Sequence, residues 1–94
     1  MLTKIKSKWV KALRSGRYKQ ANSVLLDRDG AYCCLGVLAK IQGVPKEELF
    51  CKMTSNLPQG KNAGLRRTSR DLLARMNDEG KTFKEIAAYI ARRY

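Results

Sequence analysis

Histidine is absent from this chain of 94 residues, and acidic side chains are scarce, with 8 aspartates and glutamates against 20 lysines and arginines. Without histidine, the commonest general base and metal ligand are missing, which argues against catalysis and a metal site. Three cysteines are too few for a disulfide framework, and an odd number suits a reducing cytoplasm. No apolar run approaches the roughly 18 residues that span a bilayer, and no secretory signal is apparent. We therefore expect a cytoplasmic, non-enzymatic protein without a cofactor or a membrane contact.

The formal net charge of +12 is far larger than solubility requires, so it predicts an anionic partner such as nucleic acid, a nucleotide or an acidic protein surface. The first twenty residues hold seven cations and no acid, and a second basic cluster follows Gly60. The candidate polyanion-binding residues are Lys4, Lys8, Lys11, Arg14, Arg17, Lys19, Lys61, Arg66, Arg67 and Arg70.

The length and the apolar content predict one domain, residues 1–94, of the α+β class and mainly helical. Residues 3 to 15 are typical of an amphipathic helix that Thr3 caps and Gly16 ends. Its apolar residues recur every three or four positions, at Leu2, Ile5, Trp9 and Leu13. Lys4, Lys8, Lys11 and Arg14 fall on the opposite side.

The middle of the chain predicts a short β-hairpin around the turn Asp27-Arg28-Asp29-Gly30, followed by a central helix from about Leu35. Glu47 to Met53 could add a helical turn. Residues 54 to 67 show no period and predict a long basic loop that is either mobile or used for binding.

Two helices are predicted at the C-terminal end, where capping-box patterns begin at Thr68 and at Thr82. The short link at Gly80-Lys81 predicts that they form a helical hairpin. One core should contain Trp9, Leu13, Leu35, Leu38, Leu72, Phe83, Ile86 and Ile90.

Alternative chemistry is weakly supported. A pair among Asp78, Glu79 and Glu85 could in principle perform acid-base or Mg²⁺ work. Cys33, Cys34 and Cys51 lack zinc-ligand spacing and a histidine base, so we interpret Cys33 and Cys34 mainly as core residues, with redox, nucleophilic and metal roles as alternatives. The segment from Ala74 to Ala87 resembles the first half of a helix-turn-helix, but no recognition helix follows.

That segment therefore predicts a packing hairpin. The alternative is a last helix that reads DNA with Lys84, Arg92 and Arg93. The aromatic residues are too few and too scattered to predict a stacking platform, although Tyr18 and Tyr94 sit beside cations and could be exposed stacking groups.

Three blocks of the sequence carry a resemblance: Trp9 to Gln20, Tyr32 to Leu38, and Met76 to Ala87. In this order they resemble a family of small, uncharacterised bacteriophage and prophage proteins. Members often have a glycine after the Tyr-Lys-Gln block and a further cysteine after the Val-Leu pair. Here Ala21, Asn22 and Ala39 stand at those places, which argues against a shared cysteine site. The resemblance implies a phage origin and a host-cytoplasm setting, and it implies no activity.

The leading hypothesis is a non-enzymatic phage-type accessory protein, active in host takeover or counter-defence, that binds nucleic acid or a nucleotide through a cationic face. The alternative is an inhibitor that docks its basic surface on an acidic patch of a host enzyme. A small enzyme acting on nucleic acid is a weaker third hypothesis. Homo-oligomerisation stays open, since a small domain with a long loop often completes its core by dimerising.

Overall fold

Five α-helices and one short 3-10 helix form the computed structural model, which describes residues 1–94. The α-helices are α1 (Thr3–Arg14), α2 (Cys34–Ile41), α3 (Lys46–Leu49), α4 (Arg67–Asp78) and α5 (Phe83–Arg93), and the 3-10 helix is Thr54–Asn56. Helix α1 packs against α2 and α5, and α4 also packs against both. The chain is mainly helical, as predicted. None of these helices is long and apolar enough to cross a membrane.

A single cluster of 22 buried residues forms the core. Trp9 is fully buried there, and its indole Nε1 donates to the carbonyl of Cys34 at 2.9 Å. Of the eight predicted core residues only Leu72 lies outside the cluster, since it is half-buried and its neighbour Leu73 is fully buried instead. The buried face of α4 is set by Leu73 and Asn77, which are four residues apart and therefore lie on one side of the helix.

Two helix ends agree with the sequence patterns. Gly16 adopts a φ of +78° just after α1, and the side chains of Thr82 and Glu85 form a reciprocal capping box at the start of α5. In that box Glu85 N donates to Thr82 Oγ1 at 3.2 Å, and Thr82 N donates to Glu85 Oε1 at 3.0 Å. The C-terminal end of α1 and the N-terminal end of α5 are thus encoded locally.

Two other predicted caps are wrong. Helix α1 is capped by Leu2, whose carbonyl accepts from Lys6 N at 2.9 Å, so Thr3 already lies in the first turn. Helix α4 is capped by Arg66, whose carbonyl accepts from Arg70 N at 3.0 Å, so Thr68 lies inside the helix. In both cases the N-cap residue lies one or two positions before the predicted hydroxyl residue, and no side-chain cap is present.

The predicted β-hairpin is reduced to one antiparallel bridge between Leu26 and Tyr32. The turn itself forms: Asp27 N donates to Ala31 O at 2.8 Å, and Gly30 adopts a φ of +82°. Longer strands are absent because Cys33, the residue directly after Tyr32, caps α2 with its side chain. The second strand of the hairpin therefore cannot extend beyond Tyr32.

The central helix approaches the segment before the turn so closely that only glycine fits between them. A Cβ at Gly36 would stand 1.9 Å from the carbonyl oxygen of Leu25. The small residue inside the Tyr32–Leu38 block is therefore explained by packing.

The predicted loop at about 54–67 is attached to the core at several points. Ala63 and Leu65 are buried, and the carbonyl of Ala63 accepts from Leu2 N at 3.0 Å. Gln42 Nε2 donates to Lys61 O at 2.7 Å, and Lys61 Nζ donates to Gln42 O at 3.4 Å. The loop is irregular, but these contacts tie it to the start of α1 and the end of α2.

Candidate polyanion-binding site

Helix α1 divides its side chains between the core and the solvent. Trp9, Val10 and Leu13 are buried, which gives the helix one face against α2 and α5. The cations Lys4, Lys8, Lys11 and Arg14 are all exposed, and the helix contains no acidic residue. An anion approaching α1 from solvent therefore meets positive charge along the whole helix.

A groove runs between α1 and the last turn of α5, with a volume of about 750 Å³, and we call it the α1–α5 groove. It is lined by Thr3, Lys6, Ser7, Val10, Lys11, Arg14, Ser15 and Ala91. Three cations and three hydroxyls share this concave surface with no carboxylate. Lysine, arginine and hydroxyl side chains are the groups that commonly contact phosphate oxygens in nucleic-acid complexes.

Lys6 is the residue of this groove that sequence reasoning missed as a candidate, although it belongs to the N-terminal basic run. It is half-buried, and its Nζ donates to Ala91 O at 3.4 Å. The signal that could have found the groove is the helical register of Thr3, Ser7 and Lys11, which recur at intervals of four and so share one face.

The positive charge of α1 is not neutralised by acids within the protein. The only ion pair in the molecule joins Arg67 Nε to Asp71 Oδ2 at 3.9 Å, and both side chains are largely exposed. Such a surface pair contributes little to stability. The cations of α1 therefore keep their full attraction for an external anion.

The other predicted site residues are only partly brought together. Lys8 and Lys61 line one small depression beside Gln42, whereas Arg17 and Lys19 are exposed in the segment after α1. Arg70 is half-buried, and its Nη1 donates to Leu65 O at 2.9 Å, which anchors the loop. Arg66 and Arg67 are exposed near the start of α4 and do not line the α1–α5 groove.

The alternative in which α5 reads DNA is not supported by the register of its cations. Phe83, Ile86, Ala87 and Ile90 bury one face of α5 in the core. Lys84 and Arg93 are nine residues apart, so they point about 180° away from each other around the helix axis. Helices α4 and α5 pack against each other as the predicted helical hairpin.

Cys33 and Cys34 are fully buried and unpaired, as expected for core residues, while Cys51 is exposed. Burial raises the pKa of the Cys33 thiol to about 11, and burial likewise raises the pKa of Cys34 well above its usual value. The Sγ of Cys33 accepts from Gly36 N at 3.3 Å, and the Sγ of Cys34 donates to Leu73 O at 3.5 Å. Neither sulfur is a thiolate at neutral pH, and thiolates are the nucleophilic form.

Two of the three acids that could have formed a catalytic pair have separate structural roles. Asp78 Oδ1 accepts from Ser23 N at 2.8 Å, and Glu85 completes the cap of α5. Hydrogen bonds from Thr82 hold the pKa of Glu85 below its usual value. No group of three or more cysteine or acidic side chains is placed to hold a metal ion.

Sequence reasoning also missed a polar cluster around the buried side chain of Asn77. We call it the Gln20–Asn77 junction; it is formed by the side chains of Asn77 and of the exposed Gln20 and by the backbone groups that they bind. Asn77 is fully buried; its Oδ1 accepts from Cys34 N at 3.1 Å and from Gln20 Nε2 at 3.0 Å. Asn77 Nδ2 donates to Ala21 O at 2.6 Å. On its other side, Gln20 Nε2 donates to Lys81 O at 2.6 Å, and Gln20 Oε1 accepts from Phe83 N at 3.0 Å.

The junction brings together the three sequence blocks, because Gln20, Cys34 and Asn77 each come from a different one. The side chains of the junction bind one another or backbone groups within the protein. The three sequence blocks therefore have a structural role in holding the fold together. The signal that could have found it is a polar residue, Asn77, on the apolar face of a helix.

Residues 1–54 match the family described as a domain of unknown function, DUF8296. The chain belongs to this family. No curated protein and no solved structure matches it. The part that matches DUF8296 contains α1 to α3, and hence every cation of the α1–α5 groove as well as Gln20 and Cys34. Asn77 and the groove wall at Ala91 lie beyond the matched residues.

Proposed function

We propose that this DUF8296 protein is a non-enzymatic, phage-type accessory protein that binds a polyanion, either nucleic acid or a nucleotide, along α1. The observation that carries the proposal is the α1–α5 groove, where Lys6, Lys11 and Arg14 stand beside hydroxyls and have no acidic partner. Each cation placed on a phosphate releases a counterion, so a few such contacts give useful affinity at moderate salt. The setting of host takeover or counter-defence follows from the resemblance to phage proteins.

Two further observations support a binding role over catalysis. The buried cysteines are held as thiols by their raised pKa values, and the carboxylates of Asp78 and Glu85 cap or brace the backbone. The groove itself offers cations and hydroxyls, which can hold an anion but supply no base near neutral pH.

The test compares two variants of equal net charge. The groove variant carries Lys6→Gln, Lys11→Gln and Arg14→Gln, and the matched control carries Arg28→Gln, Lys46→Gln and Lys52→Gln, three exposed cations outside the groove. Binding to fluorescent duplex DNA, RNA and cyclic nucleotides is followed by anisotropy at several salt concentrations.

We expect the groove variant to lose most of its affinity for every sequence alike. The slope of log K against log salt should flatten by about 0.9 for each duplex phosphate contact removed, while the control keeps a slope near that of the wild type. Equal losses in both variants would mean that only net charge matters. If the wild-type protein binds none of these ligands near physiological salt, the polyanion proposal fails, and an acidic host protein becomes the partner to seek.

A further inference from the structure

A second groove lies between α4 and α5, with a volume of about 480 Å³. Ser69 and Leu72 of α4 form one wall of this α4–α5 groove. The other wall is formed by the end of α5, with Tyr89, Arg92, Arg93 and Tyr94. No acidic side chain lines it. The groove thus combines aromatic rings, one leucine side chain and guanidinium groups in one concave surface.

The two tyrosines are held in a fixed arrangement. Their ring centroids are 6.1 Å apart with an interplanar angle of 70°, which is an edge-to-face contact. The guanidinium carbon of Arg93 lies 5.8 Å from the ring centroid of Tyr89. Both rings also pack against the core, so binding a ligand need not order them.

The side chains that line the two grooves decide which part of a nucleotide suits each of them. The α4–α5 groove has two tyrosine rings, whereas the α1–α5 groove has no aromatic side chain. A nucleobase is neutral and stacks well on a tyrosine ring or a guanidinium plane. The α4–α5 groove therefore favours a base, whereas the α1–α5 groove favours the phosphates.

The two grooves meet at the last turn of α5. Ala91 lines the α1–α5 groove, and the next two residues, Arg92 and Arg93, line the α4–α5 groove. A strand whose backbone lies along α1 could therefore pass over this turn and place a base beyond it. A duplex could not do so without unpairing, because its bases are stacked inside.

We infer that the protein prefers single-stranded nucleic acid, with the backbone on the α1–α5 groove and one base stacked on Tyr94 in the α4–α5 groove. This preference rests on the proposed function, since it adds a base subsite to a phosphate surface. Tyr94 is the stacking residue; Tyr89 contacts its ring edge-to-face, and Arg93 lies over the ring of Tyr89.

The experiment compares two probes with the same phosphates: oligothymidine of about twelve nucleotides, within the range that single-strand sites cover, and an abasic oligonucleotide of equal length. Affinities are measured by competition against one labelled strand. The variants are Tyr94→Ala, Tyr94→Phe, which keeps the ring, and Phe50→Ala as a control. Phe50 is an aromatic residue that is 48% exposed and lines neither groove.

We expect the wild-type protein to bind oligothymidine about tenfold more tightly than the abasic strand, as one stacked base typically provides. Tyr94→Ala should abolish this ratio, while Tyr94→Phe and Phe50→Ala keep it. Equal binding of the two strands by the wild type, or an unchanged ratio in Tyr94→Ala, would overturn the base subsite and leave phosphate binding intact. Failure to bind either strand would overturn the phosphate surface as well.

Discussion

The exposed face of α1 and the Gln20–Asn77 junction are both polar, but their polar groups differ in burial and in whether they have partners within the protein. At the junction, Asn77 is fully buried, and each polar atom of its side chain has a partner between 2.6 and 3.1 Å away. On α1, the ammonium and guanidinium groups of Lys11 and Arg14 stand in solvent without an acidic partner. Buried polar groups need partners to offset desolvation, whereas exposed charges remain available to a ligand.

This difference separates the residues that specify the fold from those that we propose bind the ligand. The distinctive sequence blocks supply the junction and the close contact at Gly36, so their specificity is explained by packing. The proposed site depends on lysines and arginines, which are individually unremarkable in a sequence. Function in this protein is therefore encoded by where the charges lie on the fold.

The largest effect on stability should come from Trp9, which joins the apolar side of α1 to Cys34 at the Gln20–Asn77 junction. Trp9→Ala removes a fully buried indole and its hydrogen bond to Cys34 O, and it should reduce the free energy of unfolding by about 3 to 5 kcal/mol. Urea denaturation measures the loss, with the exposed Phe50→Ala as the control. A loss below about 1 kcal/mol would show that α1 is not held through this side chain.

The second largest loss of stability is expected at the Gln20–Asn77 junction. Asn77→Ala leaves Cys34 N and Ala21 O without their buried partner, and each such group costs about 1 to 3 kcal/mol. We expect the free energy of unfolding to fall by about 3 kcal/mol and polyanion affinity of the folded protein to be unchanged. Asn22→Ala, at an exposed position in the segment near the junction, is the matched control and should be close to neutral. If Asn77→Ala folds but no longer binds a polyanion, the junction takes part in binding, and the division between a structural and a binding region is wrong.

Raising the pH should weaken the core near the junction by a moderate amount. The pKa of Cys33 rises from 9.0 to about 11 because the thiol is buried, so its contribution is fully present below pH 9. Between pH 9 and about 11 the unfolded chain loses this proton and the folded chain keeps it. The free energy of unfolding should therefore fall by about 1.4 kcal/mol per pH unit from this group.

Urea denaturation across that pH range checks the effect. The slope should become shallower in Cys33→Ala, although not flat, because burial also raises the pKa of Cys34. Cys51→Ala should keep the wild-type slope, since Cys51 is exposed. Identical slopes in all three proteins would contradict the burial of Cys33.

The smallest effect on stability should come from the groove variant, Lys6→Gln with Lys11→Gln and Arg14→Gln. Exposed substitutions usually change the free energy of unfolding by less than about 0.5 kcal/mol each. Lys6 is half-buried and loses only a long hydrogen bond of 3.4 Å to Ala91 O. Thermal unfolding should thus give nearly the same midpoint as the wild type. A large drop would mean that these cations are part of the structure.

Much of the helical framework could be predicted from the sequence because its signals are local. The periodic apolar residues of α1 and α5, the glycine at position 16 and the Thr82–Glu85 box each act within a turn or two. The hairpin could not be predicted correctly, since the length of its second arm depends on where α2 begins. That beginning is fixed by Cys33 Sγ, an unusual cap.

The candidate site was predictable only in part. The exposed cations of α1 follow from helical period, but the groove needs α5 as its second wall, and that contact joins opposite ends of the chain. For the same reason Lys6 was missed, and Arg70 was not expected to bind Leu65 O. Tyr94 was a candidate stacking group from the sequence, but the groove that it forms with Tyr89 and Arg93 depends on the position of α5 beside α4.

The separation of a binding face from a structural junction can be tested most directly by following backbone amide NMR signals of the wild-type protein during titration with single-stranded DNA. We predict that the largest shifts fall between Thr3 and Ser15 and on the last turn of α5, with little change around Gln20 and Asn77. Shifts that instead cluster around the junction, or around the exposed residues Phe50 and Met53, would contradict it.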